Sequence, residues 1–281
     1  MTYSERVISV GVPTPLSGVF TTPGSTPTKS PVLILLNSGL MHRVGTCNLS
    51  VKLARAVAKN GIRTYRFDSS GIGDSETRAF GGSHEGRLVS EISEVMNELS
   101  SQEGVTQFVL FGLCSGADAA LATAAVDPRV VGIAQLDPMF FRILKWYFCH
   151  YYPRVLDIYY WLGKINRLFG RDVSSENLLS LPSDYLLPDL LEDTRCDPDR
   201  QSLTSAYEKL VSRGVHVLIV MTTGQKNCYN SRGQFCEAFG KVNFGSMLEE
   251  YYLPQAQHII SEPEDQEFVI NLVRHWSVWD Q

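Results

Sequence analysis

Val32-Leu33-Ile34-Leu35-Leu36 is an unbroken apolar run without polar alternation. Such a run predicts a strand covered on both faces, as in a largely parallel sheet. The helical spacing of Leu49, Leu53, Ala54, Val57 and Ala58 follows, with Gly61 as a stop. Ile62–Phe67 is the next predicted strand, then a helix with an apolar face of Leu88, Ile92, Val95, Met96 and Leu99, capped by Ser83. Phe108–Leu113, Val130–Leu136, Val215–Met221 and Glu250–Leu253 continue the strand series, with helices over Ser115–Val126 and Phe268–Trp279. Repeated strand-helix alternation predicts an α/β fold, a mostly parallel central sheet flanked by helices with right-handed crossovers. An N-terminal hairpin, Arg6–Val12 with Leu16–Thr21, precedes it.

The rhythm stops between Met139 and Arg213, where Pro153, Pro182, Pro188 and Pro198 interrupt a helix-prone, aromatic stretch. This predicts a core of residues 1–138 and 214–281 with a helical cap inserted at 139–213. Ten of the 29 aromatic residues fall between Met139 and Leu162. Among them, Phe140 and Trp146 are candidates for substrate contact. The blander use of such residues is to cement the cap or to bury a homodimer contact. Arg142, Lys145, Arg154 and Asp157 break the stretch, so no membrane span is expected.

The 281 residues carry a formal charge of −5, leaving no basic excess to neutralise a phosphate backbone. Nucleic acid is therefore not an expected partner; a small-molecule substrate, free or carrier-bound, is. The six cysteines form no CxxC pair and the N-terminus lacks a basic stretch followed by an apolar segment, which predicts free thiols in the cytoplasm. No ligand spacing suggests zinc, and no cofactor is expected.

Gly112-Leu113-Cys114-Ser115-Gly116 stands where a strand gives way to a helix, the spacing of a G-x-S-x-G nucleophile elbow with cysteine at its centre. The glycines relieve crowding in the sharp turn, and the positive end of the following helix favours a thiolate. A nucleophile at Ser115 would put Leu113 and Ala117 where the turn needs glycines, so it ranks well behind Cys114. The Ser115 N–H is instead one expected oxyanion donor, and the Leu40 N–H, in the loop after the first parallel strand, is the other. His258, between the last strand and the last helix, is the expected base. His42 is a candidate substrate contact, against a stronger reading as a solvated loop residue. The usual station for the orienting acid, after Val215–Met221, reads Thr223-Gly224-Gln225-Lys226-Asn227 and offers no carboxylate. Asn227 and Asp137 remain equal candidates. The Gly-rich stretch Asp68–Ser75 fits neither a dinucleotide fingerprint nor a P-loop and reads as a structural turn beside the site.

These residues resemble the α/β-hydrolase superfamily. Leu36–Gly45, Arg66–Ser75 and Gly112-Leu113-Cys114 are similar to the exosortase A system-associated hydrolase group, which the chain resembles well over residues 32–138 and moderately around Gln255–His258. The resemblance implies a cysteine nucleophile. Ser115 after the cysteine and the missing aspartate beside Gly224 depart from that group. Cysteine at the elbow also resembles polyhydroxyalkanoate synthases and dienelactone hydrolases. The expected activity is attack on an ester, thioester or lactone through an acyl-cysteine. Transfer or cyclisation from the same intermediate, and a non-catalytic ligand-binding scaffold, are the alternatives.

Overall fold

Eight strands form one sheet in the order β1-β2-β4-β3-β5-β6-β7-β8. The computed structural model describes residues 2–24, 31–155 and 198–280. β1 (Tyr3–Val10) and β2 (Leu16–Pro23) make an antiparallel hairpin, and β2 pairs antiparallel with β4 (Thr64–Phe67). From β4 onward every pairing is parallel, through β3 (Val32–Leu35), β5 (Phe108–Leu113), β6 (Val130–Leu136), β7 (His216–Thr222) and β8 (Leu248–Leu253).

Alternate residues of the central strands feed two cores, because successive side chains of a strand point to opposite faces. Ile34, Phe108, Leu110 and Ile133 pack with Ile92 and Met96 of α2 (His84–Glu103) and with α3 (Ser115–Val126). Leu33, Leu35, Val109 and Phe111 pack with Leu53 and Val57 of α1 (Leu49–Lys59) and with Val269 and Val273 of the last long helix. The Ser83 hydroxyl accepts the Gly86 N–H at 3.0 Å and caps α2.

The connection β3-β4-β5 runs one way from β3 and then returns across it, so strand order reverses between β3 and β5. Ligand crevices in such sheets open beyond the carboxyl ends of the strands at this reversal. The loop after β3 and the turn after β5 meet there.

α4 (Leu144–Val155) follows β6, and α5 (Arg200–Ser212) precedes β7. The expected cap spans both, but 156–197, including Tyr159, Tyr160 and Trp161, lies outside the described residues. α5 packs with the sheet: Tyr207 and Leu210 are buried in the same core as β6 and α3. The Tyr207 hydroxyl donates to the buried Gln135 Oε1 at 3.0 Å, while Gln135 Nε2 donates to the Ala117 carbonyl at 2.7 Å. Burial pushes the Tyr207 phenol up, so it stays neutral and a donor. Tyr207→Phe leaves Gln135 Oε1 unpaired in the core and should lower unfolding stability by about 1–3 kcal/mol in denaturant titration. A loss below ~0.3 kcal/mol would show that the bond contributes nothing.

After β8 the last long helix, α7 (Pro263–Arg274), begins five residues before the expected Phe268. Pro263 near its first position and Glu264 and Asp265 in its first turn explain the start, since proline presets the helical torsion and acids suit the positive end. It ends at Arg274, so His275 is its C-cap rather than an interior residue. The short α6 (Gln234–Ala238) lies between β7 and β8.

Candidate active site

Cys114 holds φ 58° and ψ −122°, between the last residue of β5 and the first of α3. A non-glycine residue there is strained, at a cost of order 1–3 kcal/mol that the surrounding structure must offset. Its flanks show why glycines bound the turn. A Cβ on Gly112 would overlap the Gly116 backbone, and one on Gly116 would fall 2.5 Å from the Asn37 carbonyl oxygen. The Cys114 N–H donates to the Leu136 carbonyl at 2.9 Å, while its own carbonyl accepts from Ala117 at 2.9 Å and Asp118 at 3.2 Å. The thiol is thereby carried above the sheet at the head of α3, whose first N–H groups have no intrahelical acceptors.

The ends of β5, β6 and β7 and the histidine loop are joined in sequence. Asp137 N–H donates to the Val220 carbonyl at 2.9 Å, and Thr223 N–H donates to the Ala256 carbonyl at 3.1 Å. The Thr223 hydroxyl donates to that same carbonyl at 2.7 Å. These bonds place His258 over Asp137. His258 Nδ1 lies 2.7 Å from Asp137 Oδ2, and the same imidazole is hydrogen-bonded to the Cys114 side chain. Asp137 is fully buried. Thr222 N–H donates to its Oδ1 at 2.7 Å and the Thr222 hydroxyl to its Oδ2 at 2.5 Å, so three donors hold the carboxylate. Hydrogen bonds to Asp137 and then to Cys114, with their negative charges, outweigh burial and raise the His258 pKa to about 9.

Of the two candidates for orienting the base, Asp137 is the one beside the imidazole. Asn227 meets a different partner: its main-chain carbonyl accepts from Arg142 Nε at 2.7 Å. Thr222 is a contributor that the sequence did not single out. The only signal was a threonine closing an apolar strand, since its partner lies 85 residues away.

Ser115 and the loop after β3 adjoin. Gly39 N–H donates to Ser115 Oγ at 2.8 Å, so the Ser115 hydroxyl braces that loop. Leu40 is 91% exposed at the loop tip. Asn37 Oδ1 accepts the Ser69 N–H at 2.7 Å, and Asn37 Nδ2 donates to the Met41 carbonyl at 2.9 Å. Buried Asp68 accepts the Arg43 N–H at 2.5 Å and the Asp74 N–H at 3.1 Å, and it pairs with the Arg43 guanidinium. The Asp68–Ser75 stretch thus clamps the β3 loop from behind. His42 is exposed, with Nδ1 3.4 Å from the Val44 N–H, and lines a narrow cavity with Ser38, Thr46 and Ser50.

Phe140 and Trp146 both lie in packed surroundings. Phe140 is fully buried among Phe141, Tyr229, Phe235 and Phe239, with ring centroids 5.2–6.1 Å apart. Trp146 is 4% exposed, donates Nε1–H to the Lys226 carbonyl at 3.0 Å, stacks on His150 and lies under Arg142. Both serve packing. Tyr147, Phe148, Tyr151 and Tyr152 are the exposed aromatics of α4.

Among the described residues, no group of three or more His, Cys, Asp or Glu side chains could hold a metal ion. No described helix is long and apolar enough to cross a membrane.

A mostly parallel eight-stranded sheet, helices on both faces and a strand-turn-helix at its carboxyl edge define the α/β-hydrolase fold. The model of the family described as serine aminopeptidase, S33, matches residues 32–183. The chain belongs to that family. No curated protein matches it in sequence. Solved structures share the fold: an esterase of Pyrococcus furiosus, 13% identical, aligns with 100% of this chain and 91% of its own at TM-score 0.61. An alpha-beta serine hydrolase homologue from Coxiella burnetii, 16% identical, covers 96% and 97% at 0.55. A cold-adapted esterase from an Arctic intertidal metagenomic library, 14% identical, covers 97% and 93% at 0.54.

Proposed function

We propose that this chain is a cysteine-nucleophile hydrolase of esters, thioesters or lactones, with Cys114, His258 and Asp137 acting as a unit. The single observation that carries this reading is the hydrogen-bonded chain Cys114–His258–Asp137, with Cys114 at the strained head of α3. Where the family name speaks of serine, this chain has cysteine at the centre of the elbow. A raised His258 pKa favours a thiolate-imidazolium pair, because each charge stabilises the other.

In the proposed cycle the thiolate attacks the acyl carbonyl carbon and the carbonyl electrons move to oxygen. The oxyanion lies against the N–H groups of Ser115 and Leu40. Collapse breaks the bond to the leaving alkoxide or thiolate, which takes its proton from the His258 imidazolium. His258, now neutral, removes a proton from water as that water attacks the acyl-thioester. The acid leaves and the thiolate-imidazolium pair is restored. An amine or alcohol in place of water would give transfer, and an internal one cyclisation.

The finer likeness to the exosortase A system-associated group belongs to this reading. So does a helical cap at 139–213, of which α4, with its exposed aromatics, and α5 are described. A reducing compartment such as the cytoplasm suits a nucleophile that must stay a thiol; Cys47, Cys149 and Cys236 also carry thiols.

Incubation with a nitrophenyl ester or an acyl thioester, followed by peptide mass spectrometry, should place the acyl adduct on Cys114. An adduct confined to Ser115 would overturn the assignment. Absence of any adduct or Cys114-dependent turnover across both substrate classes would favour a ligand-binding scaffold.

A further inference from the structure

Beyond the end of β7, Gly224 sits in an exposed turn with an ordinary backbone; its φ is not among the positive values of this chain. Neither burial nor torsion therefore calls for glycine at this position. What calls for it is the space beside the His258–Asp137 pair. A Cβ at 224 would stand 2.5 Å from His258 Cβ, 2.5 Å from His258 Nδ1 and 2.7 Å from Asp137 Oδ2. Side-chain carbons essentially never pack below 3.0 Å. None of the three atoms is the loose end of a flexible side chain: Thr222 holds the carboxylate at both oxygens, and the carboxylate holds the ring.

We infer that Gly224 is a positioning residue: its missing side chain leaves the opening in which Asp137 Oδ2 meets His258 Nδ1. This deepens the proposed function and rests on it. The inference also explains the absent carboxylate after β7. The β7 end supplies donors instead, through the Thr222 N–H and hydroxyl, and Gly224 N–H donates to Thr222 Oγ1 at 3.0 Å to fix that hydroxyl's direction. In this backbone the orienting acid reaches the base from the end of β6, and position 224 has no room for a side chain of its own.

The test is Gly224→Ala in the full chain, read by the NMR titration of the His258 imidazole and by the pH profile of kcat/KM. Displacing the ring from Asp137 should bring the His258 midpoint down from about 9. It should lower kcat by about 100-fold with KM little changed, the cost of a displacement near 1 Å at the reacting groups. An unchanged His258 midpoint overturns the inference, whether or not the wild type turns over any substrate tried. Failure of the proposed function would show separately, as wild-type Cys114 taking no acyl group. Combining Gly224→Ala with Asp137→Asn should cost less than the product of the single losses, because both act on one contact. A full product would mean that Gly224 acts elsewhere. A Gly224→Ala chain that does not fold also overturns the inference, since a positioning role predicts a folded protein.

Discussion

Cys114→Ala should fold normally and lose acyl-transfer turnover by roughly 10⁶-fold, the scale seen when the nucleophile of a catalytic unit is removed. Some rate above water can survive, because oxyanion donors and substrate binding remain. Cys114→Ser separates mechanism from scaffold. Serine fits the same elbow, but its hydroxyl forms no ion pair with imidazole at neutral pH. His258 then loses the raising influence of the sulfur, and its pKa should fall from about 9. Turnover by the serine variant should lie between wild type and alanine and depend more steeply on a neutral His258. Cys114→Gly should also lose activity while gaining about 1–2 kcal/mol of stability, because glycine accepts φ 58°, ψ −122° without strain. Steady-state kinetics on esters and thioesters, with denaturant unfolding, checks all three. Wild-type turnover by Cys114→Ala would sink the nucleophile assignment.

The parts of this protein legible in its sequence are those encoded locally. Val32–Leu36 and Phe108–Leu113 carry no polar side chain and Val130–Leu136 carries only Gln135, the pattern of strands buried on both faces. The elbow is also local, since Gly112 and Gly116 crowd each other across four residues. Positions that depend on distant parts of the chain were ambiguous or missed. Asp137 and Asn227 looked alike because each follows a strand; only parallel pairing of β6 with β7 brings the Asp137 carboxylate to Thr222 and then to His258. The sequence shows the acid missing beside Gly224, but not the crowding that keeps a side chain off position 224 itself. The aromatic run is ambiguous in a different way. Composition cannot distinguish a ring facing a ligand from one facing other rings, and Phe140 meets Phe235 in a short helix and Phe239 just after it, almost a hundred residues on. The start of the last helix was set by Pro263 and its acids rather than by the apolar spacing of Phe268–Trp279, and Trp276 is buried just beyond its last residue, Arg274.

Asp137→Asn should lower kcat by between about 10² and 10⁴-fold, the upper value being that of the same change in a serine-based unit. The amide keeps the shape of the carboxylate but brings no negative charge to the imidazole, and it introduces an N–H₂ among three donors. The pH signature follows from the sign of the His258 shift. The wild-type imidazole stays protonated up to about 9, so leaving-group protonation and kcat/KM should fall on the alkaline side near that pH. In Asp137→Asn the alkaline limb should move down towards 6.5, the ordinary histidine value. Stability carries the same signature. An unfolded chain releases this proton near 6.5 and the folded one near 9, so the stabilisation is fully present below 6.5 and is lost as pH rises through about 9. Between those values the unfolding midpoint of the wild type should decline relative to Asp137→Asn. Asn227→Ala is the matched comparison, since among the described residues Asn227 is bonded through its main-chain carbonyl, to Arg142. It should retain activity within about threefold and an unmoved alkaline limb, the range of a substitution away from the reacting groups. If Asn227→Ala shifts the limb and Asp137→Asn does not, the carboxylate beside His258 is structural and the base is oriented from the end of β7 after all.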